Sequence, residues 1–147
     1  MLEPNSINFK VPSIMLVSVI IPCHNRFELV SLLVSSIPKR EDVEVILVDD
    51  YSTDDLSQVN LSVFPNHKYI RNDTTNRYAG SARNIGIENS TGEYLFFADS
   101  DDLIVSDGLG KCLEILEKEK PDVLFAKATS FFDHNNALGN GHIRNNW

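Results

Sequence analysis

Apolar runs along the chain predict strands that alternate with helices. Residues 17–22 and 43–48 are almost continuously apolar and rich in β-branched side chains. Runs of this kind are typical of strands covered on both faces of a sheet. Residues 94–98 form a similar run with aromatic enrichment and predict a buried strand that leads into an acidic cluster. Residues 67–71 and 123–128 predict two further strands, the first of them from a weaker pattern.

Between the strands, apolar positions recur at helical spacing. We expect helices at residues 27–37, 78–89 and 106–120, and a short helix that ends near Val59 and starts at Ser52, Thr53 or Asp54 as its N-cap. The positions expected on the buried helix faces are Leu29, Leu32, Leu33 and Ser36, then Ala79, Ala82, Ile85 and Gly86, then Leu109, Cys112, Leu113 and Leu116.

Four alternations of strand and helix predict an α/β fold. We expect βαβ units, and hence a mostly parallel sheet with helices on both faces. Residues 15–130 would form one domain, after a flexible lead-in at residues 1–14 and before a polar tail at residues 131–147. In parallel sheets of this type, ligands bind at the carboxyl ends of the strands.

Composition narrows the classes of function. The formal net charge of -8 argues against nucleic-acid binding through a basic face. Residues 1–15 lack the continuous apolar segment of a signal peptide, and no apolar run approaches the roughly 20 residues of a membrane span. Cys23 and Cys112 indicate neither a disulfide framework nor a zinc site. We therefore expect a cytoplasmic protein without a transmembrane segment.

The acidic cluster after residues 94–98 is the main candidate for chemistry. Asp99, Asp101 and Asp102 place three carboxylates within four residues, where their mutual repulsion favours a bound cation or hydrogen-bond donors. Oxygen ligands suit Mg2+ or Mn2+, which usually take one or two protein carboxylates and complete their coordination with water and substrate phosphates. The alternative is a surface turn in which an Asp caps a helix. Polar residues after the other three strands favour the functional interpretation, because all these strand ends should meet at one edge.

Missing motifs restrict the type of nucleotide site. No G-x-G-x-x-G follows the first strand and no G-x-x-x-x-G-K-[ST] occurs, so a dinucleotide fingerprint and a P-loop are both absent. A carboxylate site without a glycine-rich phosphate loop would hold a diphosphate through a metal. Such a site favours transfer chemistry in which the metal neutralises a departing diphosphate.

Four segments together resemble glycosyltransferase family 2. They are VIIP at residues 19–22, VDDYSTD at 48–54, GSARNIG at 80–86 and YLFFADSDD at 94–102. Their order and spacing are similar to the nucleotide-sugar-binding half of the GT-A fold, over roughly residues 16–128. The resemblance implies a metal-dependent, inverting transfer of a sugar from a nucleoside-diphosphate donor, most simply a UDP-sugar, to a hydroxyl of a saccharide or lipid-linked acceptor. Cell-surface polysaccharide or lipopolysaccharide synthesis, at the inner face of the membrane, is the corresponding process.

The resemblance also implies roles for individual residues. Pro22, His24 and Asn25 would line the nucleoside, and Asp49 or Asp50 would accept a hydrogen bond from the base. Arg83 would reach the base or the diphosphate, and Asp99 the ribose or metal-bound water. Asp101 would ligate Mn2+ or Mg2+, with support from Asp99 and Asp102.

The chain departs from the family pattern in its loops and its length. Tyr51 stands where a small residue is common, so either the turn differs or the ring stacks on the base. His24 stands where Tyr is common and serves either loop structure or ligand contact. Nothing after Asp133 resembles the acceptor-binding half of the family, so residues 131–147 are either a tail or the start of that missing half. We therefore expect a truncated amino-terminal part with little transfer activity, whose catalytic base lies beyond Trp147.

Three other interpretations compete with this one. A receiver domain needs an acidic pair after its first strand, and this chain has none there. A phosphatase that uses Asp-x-Asp as nucleophile and acid normally carries that motif after its first strand, not its fourth. An inactive nucleotide-binding module is compatible with the sequence.

Overall fold

The computed structural model describes residues 17–105 and 107–129. Their strands form one parallel sheet in the order β3-β2-β1-β4, and three α-helices connect or follow the strands. The elements are β1 (Val17–Cys23), α1 (Phe27–Ser36), β2 (Val43–Asp49), β3 (Asn66–Arg71), α2 (Ala79–Glu88), β4 (Tyr94–Phe97) and α3 (Gly108–Glu119). This is the predicted α/β architecture.

The two central strands are buried along their whole length. Every residue of β1 and of β2 is buried, and the strands run in register from Val17 opposite Val43 to Cys23 opposite Asp49. Helices cover both faces of the sheet, as predicted, which explains why these sequences do not alternate between apolar and polar.

The larger core lies on the face that α1 and α3 cover. It contains Val19, Val45 and Leu47 from the sheet together with Leu33 and Leu113 from the two helices. Leu109, Leu113 and Leu116 of α3 are buried as the helical spacing predicted, and Cys112 packs at the edge of this core. The predicted buried face of α3 is therefore confirmed.

The predicted buried face of α1 is confirmed at Leu33 but is wrong at Leu29 and Leu32. Val30, Leu33 and Val34 are buried, whereas Leu29 and Leu32 are 44% and 57% exposed. This helix is apolar on most of its circumference, so spacing alone does not identify the side that packs on the sheet.

The opposite face of the sheet carries α2 alone among the described helices. Ala82 packs on Ile46 and Val48, with Ile85 at the margin. Gly86 is buried so closely against β1 that a Cβ at this position would overlap Ile20 Cγ2. Ala79, which we expected to point inward, is the first residue of the helix and is exposed, so the contact with the sheet begins at Ala82.

Two predictions about β-structure are wrong. Residues 123–129 form no strand, and Phe125 is 82% exposed, because an apolar sequence needs a neighbouring strand to supply hydrogen bonds. The fourth strand is not fully buried, since β4 is an edge strand of the described sheet. Tyr94 and Phe96 pack against the larger core, while Leu95 and Phe97 are 40% and 43% exposed.

The predicted short helix after β2 is replaced by two 3-10 turns, Leu56–Gln58 and Leu61–Val63. Asp55 caps the first turn by accepting from the Ser57 N–H, so none of the three predicted N-caps has that role. No described helix is both long enough and apolar enough to cross a bilayer. The predicted lead-in at residues 1–14 and the tail at residues 131–147 lie outside the described residues.

Candidate active site at the carboxyl edge of the sheet

Most of the predicted site residues lie at or just after the carboxyl ends of three parallel strands. His24 and Asn25 follow β1, Asp49 and Asp50 lie at the end of β2, and Asp99 follows β4. Because the strands are parallel, their carboxyl ends share one edge of the sheet. The fold therefore brings the predicted residues to one side of the molecule.

Asp49 is fully buried and satisfied by protein groups. Its Oδ1 accepts from the Ser52 N–H at 2.8 Å. Its Oδ2 accepts from the Tyr69 hydroxyl at 2.7 Å and from the Arg71 guanidinium at 2.8 Å. This carboxylate joins the end of β2 to β3 and to the following turn.

These contacts set the ionisation of Asp49 and of Tyr69. Burial by itself raises the pKa of the Asp49 carboxyl, but the hydrogen bonds of Ser52 and Tyr69 and the charge of Arg71 outweigh burial and hold that pKa below its usual value. Burial, together with the Asp49 carboxylate, raises the pKa of Tyr69 to about 12. Asp49 is consequently an ionised carboxylate whose hydrogen bonds to protein groups hold the fold together.

Asp50, unlike Asp49, has only one of its carboxylate oxygens bonded to a described protein group. Its Oδ1 accepts from the Asn72 side-chain amide at 2.7 Å, and no described group donates to its Oδ2. Asp50 is 7% exposed, and no fully buried side-chain oxygen among the described residues lacks a partner, so Oδ2 reaches solvent. Of the two acids, Asp50 is the one that presents an oxygen to a ligand.

The loops after β1 and β2 are fastened to each other. His24 Nδ1 donates to the Asp50 carbonyl oxygen at 2.8 Å, while its Nε2 accepts from the Asn25 side-chain amide. Asn25 Oδ1 accepts from the Thr53 N–H at 2.7 Å, and the Asn25 N–H donates to Ser52 Oγ. The acceptor oxygen of Asn25 is therefore used within the loops, and His24 holds the backbone of the candidate base-reading acid.

Tyr51 occupies a left-handed backbone conformation with a φ of 62°. The turn that glycine would favour is thus kept, although a side chain there is strained. The ring is 42% exposed, and the guanidinium carbon of Arg77 lies 3.4 Å from its centre. The guanidinium carbon of Arg71 is 5.4 Å from the same point.

Two arginines engage the acidic cluster. Arg83, on α2, donates to Asp99 Oδ1 at 2.5 Å, and Arg26, just before α1, donates to Asp101 Oδ2 at 2.5 Å. All four side chains are substantially exposed, and ion pairs of this kind contribute little to stability. The guanidiniums can therefore shift to another anion at low cost.

Asp102 closes the turn that carries the cluster. Its Oδ2 accepts from the Asp99 N–H at 3.2 Å, and its own N–H donates to the Asp99 carbonyl oxygen. Ser100 is buried inside this turn, and burial raises the pKa of the Cys23 thiol to about 11, although the Ser100 side chain acts in the opposite direction. The turn thus stays closed while each of its three acids keeps one carboxylate oxygen without a described donor.

The cluster fits a metal only in partnership with a ligand. Among residues 17–105 and 107–129, no three Asp, Glu, His or Cys side chains converge as a ready cation site. Hard oxygen donors on an exposed turn nevertheless suit Mg2+ or Mn2+ that completes its shell with phosphate oxygens. A cation held by the protein alone does not fit this arrangement.

Pro22 is buried within β1, opposite Val48, and lies beneath the candidate site, not on its surface. A separate shallow groove lies along the two 3-10 turns and β3, where Ser57, Asn60 and His67 contribute polar groups. None of the predicted site residues lines that groove.

Sequence reasoning missed three partners. Asn72 is 1% exposed and joins Asp50 to the next loop, Arg71 neutralises Asp49, and Arg26 pairs with Asp101. The sequence did indicate Asn72 as a site residue, because it is a polar residue directly after a predicted strand. Nothing in the sequence indicated Arg26, because its contact with Asp101 joins residues far apart in sequence.

Comparisons with known proteins agree with the fold. The family model described as Glycosyl transferase family 2 matches residues 18–146. An uncharacterized glycosyltransferase of Rickettsia felis is 38% identical over 105 residues, which are 69% of this chain and 17% of that protein. Poly(ribitol-phosphate) beta-N-acetylglucosaminyltransferase TarS of Staphylococcus aureus Mu50 is 31% identical over 117 residues, or 75% of this chain and 20% of TarS.

Solved structures of S. aureus TarS share the fold. The structure of TarS 1-349 superposes with a TM-score of 0.65 at 30% identity, over 72% of this chain and 33% of that one. The same TarS fragment in complex with UDP-GlcNAc gives a TM-score of 0.64 at 30% identity, over 72% of this chain and 32% of that one. The chain therefore spans about a fifth of the two curated relatives and about a third of the TarS fragment.

Proposed function

The chain belongs to glycosyl transferase family 2, and on that premise we propose that the carboxyl edge of its sheet binds a nucleoside-diphosphate sugar. One observation carries the proposal. Asp50 presents an oxygen to solvent at the end of β2, while the Asp99–Asp102 turn presents three carboxylates at the end of β4. TarS was solved in complex with UDP-GlcNAc, which makes UDP-sugars the first donors to test.

The base would lie at the end of β2. Asp50 Oδ2 offers an acceptor to an N–H of the base, while Asn72 holds the other oxygen in place. Asp49 has no such oxygen, because Ser52, Tyr69 and Arg71 occupy both of its own. We therefore assign base recognition to Asp50 and a positioning role to Asp49.

The spacing of the sheet matches the length of a nucleoside diphosphate. In the order β3-β2-β1-β4, the end of β4 lies two strand spacings from the end of β2. At about 4.8 Å per spacing, this separation is roughly 10 Å. A base at Asp50 would thus place its diphosphate near the Asp99–Asp102 turn, with the nucleoside crossing the loop after β1.

The diphosphate end would combine a metal with two arginines. Asp101 would hold Mn2+ or Mg2+, with Asp99 and Asp102 beside it, and the metal would neutralise charge on the departing diphosphate. Arg83 and Arg26 would move from their exposed carboxylate partners towards phosphate oxygens. Both guanidiniums would then remain paired throughout binding.

The proposed reaction is transfer of the sugar to an acceptor hydroxyl with inversion at the anomeric carbon. The predicted base beyond Trp147, the saccharide or lipid-linked acceptor, the role in cell-surface polysaccharide synthesis and the cytoplasmic location all stay predictions. The name of TarS, a poly(ribitol-phosphate) glycosyltransferase, makes a polyol-phosphate polymer a reasonable first acceptor.

Calorimetric titration of UDP, with and without Mn2+, tests the proposal on the chain and on Asp101→Ala. We expect Mn2+ to strengthen UDP binding, and the substitution to weaken the Mn2+-dependent affinity at least about tenfold, since losing even an outer partner of a metal commonly costs that much. Without Mn2+, Asp101→Ala should not weaken UDP binding, because it removes a negative charge and releases Arg26.

Asp42→Ala is the matched control. It also breaks an arginine–carboxylate pair, with Arg40, but at the amino-terminal edge of the sheet. It should leave UDP affinity unchanged. Absence of binding by the unsubstituted chain to UDP, GDP, CDP and TDP would contradict the proposal. Binding without turnover of a UDP-sugar would agree both with the low transfer activity expected of this chain and with an inactive nucleotide-binding module, whereas robust transfer by this chain would contradict both.

A further inference from the structure

The groove between the two 3-10 turns and β3 lies outside the candidate active site. The turns build one wall, because Leu56, Val59 and Leu61 are buried in the larger core and leave the polar residues between them on the surface. The other wall is β3, where His67 and Tyr69 lie two residues apart and therefore on the same face of the strand. The volume of the groove, about 380 Å³, is at the lower end of the range of small-ligand sites.

The walls of the groove carry no acidic side chain, no lysine and no arginine. None of the eight described residues that line it is Asp, Glu, Lys or Arg, although 23% of the chain is charged. A phosphate group would therefore find no lysine or arginine to bind there. Asp55, which accepts from Ser57 and from the Gln58 side chain, would repel an anion at this end of the groove. A neutral ligand fits this surface better than a charged one.

Several polar atoms of the groove have no partner in the described part of the chain. Asn60 Oδ1 accepts from the Ser62 hydroxyl at 2.7 Å, and no described group accepts from Asn60 Nδ2. Gln58 uses its Nε2 as a donor, which leaves its Oε1 without a described donor. His67 uses its Nδ1 to donate to the main chain at 2.8 Å, which leaves its Nε2 without a described partner. One amide donor, one amide acceptor and one ring nitrogen are thus available to a ligand.

Tyr69 adds an aromatic surface whose orientation is fixed. Its hydroxyl donates to Asp49 Oδ2 at 2.7 Å, so the ring is held from its far end. The residue is 37% exposed, and no described cation stacks on its ring. A ring that is already held in place loses little conformational entropy when a ligand packs against it.

We propose that this groove binds one neutral sugar unit of the saccharide acceptor, with Tyr69 against the apolar side of the sugar and Gln58, Asn60 and His67 bonded to its hydroxyls. This inference rests on the proposed function. A sugar unit is neutral, offers C–H groups that pack on an aromatic ring, and carries hydroxyls that both donate and accept hydrogen bonds. These three properties match the uncharged walls, the fixed ring and the available polar atoms of the groove.

The groove is too far from the acidic turn after β4 to hold the hydroxyl that reacts. In the order β3-β2-β1-β4, three strand spacings separate β3 from β4. At about 4.8 Å per spacing, this separation is roughly 14 Å. The groove would hold a sugar unit that is remote from the point of transfer, and it would favour long acceptors over short ones because a second contact adds to the first. Its residues would select the acceptor and would take no part in the chemical step.

NMR titration of the isotopically labelled chain with two neutral sugars, tetra-N-acetylchitotetraose and maltotetraose, tests the inference. We expect at least one of them to cause saturable shifts of the backbone amides at residues 57–62, 67 and 69. Asn60→Ala should weaken this binding about fivefold, the equivalent of one lost hydrogen bond. Asn84→Ala is the matched control, since it also removes an exposed asparagine, but from α2 on the opposite face of the sheet, and it should leave the affinity unchanged.

A pair of substitutions at Tyr69 isolates the contribution of the ring. Tyr69→Phe and Tyr69→Leu both lose the hydrogen bond to Asp49, so any structural effect of that loss is common to the two variants. Tyr69→Phe keeps the aromatic surface, whereas Tyr69→Leu removes it. We expect sugar binding to be about fivefold weaker in Tyr69→Leu than in Tyr69→Phe. Equal affinities of the two folded variants would contradict a role of the ring in binding.

UDP titration of the same samples separates the inference from the proposed function. If UDP binds and neither sugar shifts the groove, the inference is wrong and the proposed function stands. The inference is also wrong if sugar binding is unchanged in both Asn60→Ala and Tyr69→Leu. Sugar binding by a chain that binds no nucleoside diphosphate would overturn the proposed function, and with it the acceptor role of the groove.

Discussion

Replacing the two adjacent acids one at a time should separate stability from ligand binding. Asp49→Asn keeps the shape of a fully buried side chain but turns one acceptor oxygen into an NH2 group. Whichever way the amide is oriented, its NH2 then faces either the Ser52 N–H or the donors on Tyr69 and Arg71. Asp50→Asn creates no such conflict, because its amide oxygen can face Asn72 while its NH2 faces solvent.

The partners of the two acids give the expected magnitudes. Asp49→Asn loses at least one buried hydrogen bond to a charged group and leaves two donors facing each other, which should lower the free energy of unfolding by about 2 to 3 kcal/mol. Asp50→Asn should change that free energy by less than about 1 kcal/mol. For UDP affinity we expect the reverse order, with the larger loss in Asp50→Asn. The NH2 group that Asp50→Asn introduces would face the N–H of the base, and affinity should fall about tenfold, the equivalent of one lost hydrogen bond of about 1.4 kcal/mol.

Urea unfolding at pH 7, followed by far-ultraviolet circular dichroism, gives the stabilities, and calorimetry gives the UDP affinities. Equal destabilisation by the two substitutions would refute the division of roles, as would an Asp49→Asn chain as stable as the original. If Asp50→Asn bound UDP with unchanged affinity while remaining folded, Asp50 would not be the residue that reads the base.

Three further predictions concern the fold. The pKa of Asp49 is lowered in the folded chain, so its contribution to stability is present above the unfolded pKa of about 3.9 and is lost as pH falls through the folded pKa. Urea midpoints should therefore drop between about pH 5 and pH 3. The drop should be less steep in Asp49→Asn, which lacks this carboxylate. Gly86→Ala should destabilise the chain by about 1 to 3 kcal/mol, because the added Cβ overlaps β1. Gly80→Ala, in the same helix, adds a Cβ that meets no atom within 4 Å and should stabilise the chain by up to about 1 kcal/mol. Equal urea midpoints for the two variants would contradict the close packing of Gly86. Buried Cys23, whose pKa is raised to about 11, should react with iodoacetamide at pH 8 far more slowly than the partly buried Cys112, and equal labelling of both by mass spectrometry would show that the core opens readily.

The sequence predicted the parts of the fold that local pattern determines. The strands β1 and β2 are buried on both faces, so their residues are apolar throughout and their limits are nearly those expected. The helix α3 has one apolar stripe, and Leu109, Leu113 and Leu116 are buried as its spacing indicated. Agreement is good wherever a segment has only one way to bury its side chains.

Errors arose where the outcome depended on a neighbour. The helix α1 has apolar residues on several sides, and docking on the sheet selected Val30 over Leu29. Residues 123–128 have the composition of a strand, but no described strand pairs with them. An apolar pattern records a tendency to be buried and does not record which partner is available.

The candidate site was predictable in position but not in detail. Parallel strand ends placed Asp50 and Asp99 on one edge, as expected from the order of the elements. Which of Asp49 and Asp50 faces a ligand depended on Tyr69 and Arg71, whose donors are set by the register of β3. The Arg26–Asp101 pair spans 75 positions in sequence, and no local pattern signals such a contact.

Mapping UDP binding on the backbone amides of the isotopically labelled chain, in the presence of Mg2+, tests most directly whether this sheet edge is the donor site. We expect chemical-shift changes confined to the loops after the strands, at residues 23–26, 49–52 and 72–77 for the base and nucleoside and at residues 99–102 for the diphosphate. Uridine should reproduce the first three groups of changes without the last. Changes centred on the amino-terminal edge, around Asp42 and Gly92, would contradict the assignment of the site, as would the absence of any change at saturating UDP.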